Sequence, residues 1–89
     1  MTRTIYDVAA DEMESLLIEN NIEYTRKPIY EGWQFYIRGT DGDIICHKYS
    51  YGGNDGLWES MGFDWDDIDV TGYLTAQEVV SRLKEYYGM

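Results

Sequence analysis

The sequence predicts an α+β domain: a helix, three antiparallel strands and a second helix, packed as two layers, with a long acidic loop before the last helix. Three observations carry this. Apolar residues recur three and four apart at both ends of the chain, as on a helix face. They alternate with period two in between. A glycine-containing Asp-Gly turn joins two of the alternating segments. With 89 residues, 44% of them hydrophobic and 14 aromatic, the chain is expected to form one domain over residues 1–89 around a single core.

The first helix is expected over residues 5–20. Tyr6, Ala9, Ala10, Met13, Leu16 and Leu17 form its apolar stripe, Thr4 and Asp7 have capping-box spacing, and Asn20-Asn21 is the stop signal. Asp7, Asp11 and Glu14 fall on its outward face one turn apart, an arrangement that suits a solvated face or a docking face. Residues 22–27 form a short strand closed by Pro28, which cannot donate to a ladder. Residues 33–38 alternate Trp33, Phe35, Ile37 against Gln34, Tyr36, Arg38. Residues 44–51 form the third strand. Residues 52–72 are expected to be irregular, with a helical turn at 57–61, and to pack down through Trp58, Phe63 and Trp65. The last helix, about 76–87, opens with the capping box Thr75-Ala76-Gln77-Glu78 inside a Leu74–Val79 staple.

Charge is the second theme. Seventeen acids against seven Lys and Arg give a net charge of −10. Residues 4–24 hold Asp7, Asp11, Glu12, Glu14, Glu19 and Glu23 and no base. Residues 49–81 hold Asp55, Glu59, Asp64, Asp66, Asp67, Asp69 and Glu78 and no base. Such a field repels nucleic acid and anionic membranes and attracts basic proteins or divalent cations. No apolar run reaches the length of a membrane span, no signal core opens the chain, and a lone Cys46 forms no internal disulfide. These features together suggest a cytoplasmic protein, of a cell or of something replicating inside one.

The residues for catalysis are few. Cys46 and His47 are neighbours on an expected strand and point to opposite faces, so they do not form a nucleophile–base pair. One Cys and one His make no zinc set, and no phosphate-binding glycine motif or nucleophile elbow is present. The expectation is a protein that binds rather than an enzyme.

Residues 67–78 resemble the twelve-residue EF-hand calcium loop. That resemblance implies oxygen ligands from Asp67, Asp69, Thr71, the Tyr73 carbonyl and Glu78, with Gly72 at the turn. Thr71 departs from the usual Asp or Asn, and no convincing helix precedes the loop. The segments YGGNDGLWESMG (51–62) and DVTGYLTAQEVVSRLKEYY (69–87) look like small proteins of phages and mobile elements of Gram-positive bacteria. A single small acidic domain with helix–strands–helix order and no catalytic set is also similar to phage-encoded anti-defence proteins, notably the anti-CRISPR proteins. That resemblance implies an acidic nucleic-acid mimic, an inhibitor that occupies the basic groove of a CRISPR nuclease or another host defence protein in the host cytoplasm. On this reading the partner-binding residues are Asp7, Asp11 and Glu14 on the first helix, and Asp55, Trp58, Glu59, Asp64, Trp65, Asp66, Asp67 and Asp69 in the loop, with the tryptophans as apolar anchors. No cofactor is expected on it. The alternatives are a calcium-binding module at residues 67–78 and a structural protein that self-associates through exposed Tyr and Trp.

Overall fold

The structure, a computed structural model, describes residues 3–63, 65 and 70–88. Helix α1 (Ile5–Glu19) opens on the expected capping box: the Thr4 hydroxyl accepts from the Asp7 N–H, and the Asp7 carboxylate accepts from the Thr4 N–H. Helix α2 (Ala76–Tyr86) opens the same way on Thr75 and Glu78. Between them lie β1 (Tyr24–Ile29), β2 (Gly32–Ile37), β3 (Asp43–Cys46), a 3₁₀ turn (Gly53–Asp55), β4 (Trp58–Met61) and β5 (Val70–Leu74).

The strands form one antiparallel meander in the order β1-β2-β3-β4-β5. The α+β class and the two terminal helices therefore agree with the sequence reading, but the sheet has five strands where three were expected. The two extra strands come from the stretch read as irregular, and the helical turn expected at 57–61 is instead β4. The third strand is also shorter than expected, because the chain leaves the ladder after Cys46 in a run of tight turns (Ser50 N–H to His47 carbonyl 3.2 Å, Gly53 N–H to Ser50 carbonyl 3.1 Å). Pro28 does not close β1 but lies inside it, opposite Trp33. It is tolerated because β1 is an edge strand.

Alternation puts one sheet face inside. Phe35 pairs with Ile44, and Trp33 with Cys46. With Ile37 and Trp58 these side chains meet Ala9, Ala10, Met13 and Leu17 of α1 and Val79, Val80 and Leu83 of α2 in one buried cluster. Trp58 is fully buried, with its ring edge-on to Phe35 at 5.5 Å. Cys46 is also fully buried. Its thiol donates to the Gly53 carbonyl at 3.8 Å, and burial pushes it up to about 11. The other sheet face is uncovered and carries Lys27, Tyr36 and Met61, with Gln34 donating to Asp43 at 2.8 Å across the β2–β3 pair. Among the described residues no helix is long and apolar enough to cross a membrane.

Candidate interaction surface

The acidic face of α1 is occupied from within. Asp7 accepts from the Trp33 indole N–H at 2.8 Å. That bond, followed by the Thr4 backbone N–H, holds its carboxyl below the usual carboxylate range. Asp11 is paired with Arg3 and with Arg26, the latter at 3.3 Å, and the Arg3 hydrogen bond is the main cause that lowers it. Glu14 shares the Arg26 guanidinium at 3.3 Å. Arg26 itself lies 4.0 Å from the centroid of the Trp33 ring. Burial and, after it, Glu14 push the neighbouring Tyr24 up to about 12. Three carboxylates, two arginines and two aromatics thus clamp α1 onto β1 and β2. The row expected to face a partner is a structural network, and its charge is largely neutralised in place.

The two anchors expected from the loop are also internal. Trp58 belongs to the core. Trp65 is half-buried, stacked on Phe63 at 4.4 Å, and its N–H donates to the Ser60 hydroxyl at 3.0 Å. Glu59 is buried, with its carboxylate accepting the Tyr51 N–H at 2.8 Å. Asp55 is exposed on the 3₁₀ turn. Asp64, Asp66, Asp67 and Asp69 lie outside the described residues. Of the remaining calcium-loop positions, Thr71 pairs with Ser60 in the β4–β5 ladder and Tyr73 is exposed on β5. The Glu78 carboxylate accepts the Thr75 N–H at 3.0 Å, and this capping bond lowers it. Gly72 has a reason of its own: a Cβ there would come within 2.5 Å of the Tyr51 Cβ. Strand geometry and a helix cap thus account for Gly72, Leu74 and Glu78, whereas the buried Thr71 hydroxyl is without a hydrogen-bond partner among the described residues. Among the described residues no group of three or more His, Cys, Asp or Glu is placed to hold a metal ion.

What the sequence reading did not single out is a set of tyrosines at one end of the sheet. The β1–β2 turn, the segment after β3 and the last turn of β5 all meet there. Tyr30, Tyr49, Tyr51 and Tyr73 are 61–68% exposed. His47 is the peg beneath them. It is buried, its Nδ1 accepts the Tyr49 N–H at 3.0 Å, and its ring lies edge-on to Tyr30 at 5.1 Å. Tyr30 in turn meets Tyr49 at 5.4 Å. Desolvation lowers His47, opposed by the nearby Glu59 charge, so the imidazole is neutral at pH 7 and able to accept. The Lys48 N–H donates to the Tyr30 carbonyl at 3.2 Å, and the Tyr73 N–H donates to the Tyr51 carbonyl at the same distance. Cys46 and His47 are therefore turned to different partners, the thiol to the Gly53 carbonyl and the imidazole to the Tyr49 N–H.

The turn carrying Tyr30 is backbone-strained. Tyr30 and Glu31 are the two central residues between β1 and β2, with φ of 44° and 67°. A two-residue hairpin turn of this hand prefers Asn-Gly, because a Cβ is disfavoured at positive φ. Replacing Glu31 with Gly is therefore expected to stabilise the fold by about 1 kcal/mol. The exposed Glu31–Lys48 pair at 3.6 Å is screened by water and offsets little of that gain. A urea titration followed by circular dichroism reads this directly, and a lower midpoint for the variant would mean the turn is not strained.

No protein family matches the chain, and neither the curated proteins nor the solved structures contain a significant match.

Proposed function

We propose that the protein is a non-catalytic acidic binding protein that docks on a basic, nucleic-acid-handling protein, in the manner of an inhibitor that mimics nucleic acid. The observation that carries this reading is the net charge of −10 together with seven acids and no base over residues 49–81. Phosphate-binding grooves present Lys and Arg, and a folded acidic domain meets them with charges already ordered. The α1 network supports assigning the role to this second acidic stretch, since Asp7, Asp11 and Glu14 are engaged with Arg3, Arg26 and Trp33.

The test is a pull-down with immobilised protein from host lysate, eluted in salt steps and challenged with duplex DNA. A basic nucleic-acid-handling protein is expected to leave at moderate salt and to be displaced by the DNA. The variant with Asn at positions 64, 66, 67 and 69 is expected to bind that protein at least about tenfold more weakly. If that variant keeps the wild-type circular dichroism spectrum and the wild-type affinity, the mimicry reading fails.

A further inference from the structure

We infer that the tyrosine-rich end of the sheet is the recognition surface for an arginine-bearing segment of the basic partner, whose guanidinium groups stack on the Tyr30, Tyr49 and Tyr73 rings. The inference rests on the basic-partner reading above and names the chemistry of its contact.

Four observations meet at this surface. First, Tyr30, Tyr49, Tyr51 and Tyr73 come from three separate chain segments and are each more than half exposed. Tyrosine is enriched at protein interfaces because its rigid ring offers large contact area at low entropic cost. Second, two of these tyrosines sit where the backbone disfavours them. Among the described residues, four that are not glycine have positive φ, and Tyr30 (44°), Glu31 (67°) and Tyr73 (58°) are three of the four. Asn or Gly would relieve the strain, yet both rings stay more than half exposed, Tyr30 resting edge-on against the buried His47 at 5.1 Å. Strain of this kind gathers at functional positions.

Third, the surface is preorganised. His47 beneath it is buried and hydrogen-bonded, Glu59 fixes the Tyr51 N–H, and the backbone of Tyr73 is tied to that of Tyr51. Fourth, the charge around it is complementary to a cation. Glu31 follows Tyr30 in the β1–β2 turn, the Glu59 carboxylate meets the Tyr51 N–H, and Asp55 is exposed on the 3₁₀ turn that follows Tyr51. Lys48 is paired with Glu31. The molecule already uses its aromatic faces in this way, with Arg26 over Trp33 at 4.0 Å and Lys48 over Tyr49 at 5.7 Å.

Arginine, rather than any cation, is the expected occupant. Its planar guanidinium is weakly hydrated and stacks on rings, whereas an ammonium keeps its water.

The test compares nona-arginine with nona-lysine by isothermal titration at matched salt, and maps the tyrosine ring resonances by NMR. The wild-type protein is expected to bind nona-arginine about five- to tenfold more tightly than nona-lysine, with shifts at Tyr30, Tyr49 and Tyr73. A variant combining Tyr30→Asn, Tyr49→Ser and Tyr73→Asn is expected to lose that preference while keeping charge-driven binding of both peptides. Its substitutions are exposed, and Asn suits positive φ, so its melt is expected to match or exceed the wild type. Tyr36→Ser, on the uncovered sheet face, is expected to leave the preference intact. Equal binding of the two peptides by the wild type, or ring shifts confined to Tyr36, Tyr86 and Tyr87, overturns this inference and leaves the basic-partner reading standing. Failure of both peptides to bind at low salt overturns both.

Discussion

Replacing Trp58 with Ala is expected to lower the unfolding free energy by about 3–5 kcal/mol, the largest loss of any single truncation in this fold. Trp58 is the largest of the fully buried side chains. It stands at the start of β4, opposite Leu74 of β5 in the register, and its ring abuts Phe35 of β2. Truncation therefore leaves a void that touches three strands, and close-packed neighbours collapse into such a void only in part. A domain of this size has a total stability on the order of 5–10 kcal/mol. The variant should be largely unfolded at 37 °C, or should unfold at a sharply lower urea midpoint by circular dichroism. Trp58→Phe keeps most of the ring and is expected to cost less than half as much. Near-equal midpoints for wild type and the Ala variant would show that Trp58 does not hold the core together.

Gly32→Ala is expected to cost about 3 kcal/mol by a different route. A methyl at this position would run into the Cys46 carbonyl oxygen and lie 2.6 Å from the His47 Cα. These are backbone atoms and cannot rotate away, so β2 and the chain leaving β3 would have to separate. The damage should be local as well as global. The Tyr49 N–H, bonded to His47 Nδ1 in the wild type, should lose protection from hydrogen exchange more than amides in α2. Gly39→Ala makes the comparison. Gly39 has φ of 83° with no atom within 4 Å of a built Cβ, so only the torsional penalty of about 1 kcal/mol applies. If Gly39→Ala proves the more damaging of the two, close backbone approach is not the reason for Gly32.

How much of this was legible in the sequence follows from where local signals agree with tertiary ones. Both helices announce themselves twice, through the Thr4/Asp7 and Thr75/Glu78 caps and through their apolar stripes. β2 shows because its inward residues are all large and apolar. β4 hides because its inward pair is Trp58 and Ser60, while its outward Glu59 is buried by a bond to a loop amide. A Trp-Glu-Ser-Met run has no binary pattern to read. β5 hides for another reason: Gly72 reads as a loop signal in the sequence, and the ladder with β4 overrides it. The Asp-Gly pair, Asp41-Gly42, marks the β2–β3 hairpin correctly, but it is not the pair that supplies the left-handed backbone. The left-handed residue of that link is Gly39, whereas Gly42 leaves room for the Phe63 ring, 2.5 Å from a built Cβ.

The candidate surface was less visible still. Counting carboxylates along α1 cannot reveal that Arg26, twelve and fifteen residues away from Glu14 and Asp11, returns to neutralise them. Nor does a sequence show that four of nine tyrosines converge at one end. The hint available was the number of tyrosines, which suggested an exposed aromatic surface without saying where it lies.

The placement of Cys46 has a consequence for where the molecule can work. A lone cysteine invites the inference of a reducing compartment, because an exposed thiol would be oxidised or cross-linked elsewhere. Here the sulfur is fully enclosed and burial pushes its thiol up to about 11, so the reactive thiolate is scarce at neutral pH. Oxidants, disulfide exchange and alkylating reagents have nothing to attack until the core opens. The enclosed thiol is therefore no argument for a reducing compartment.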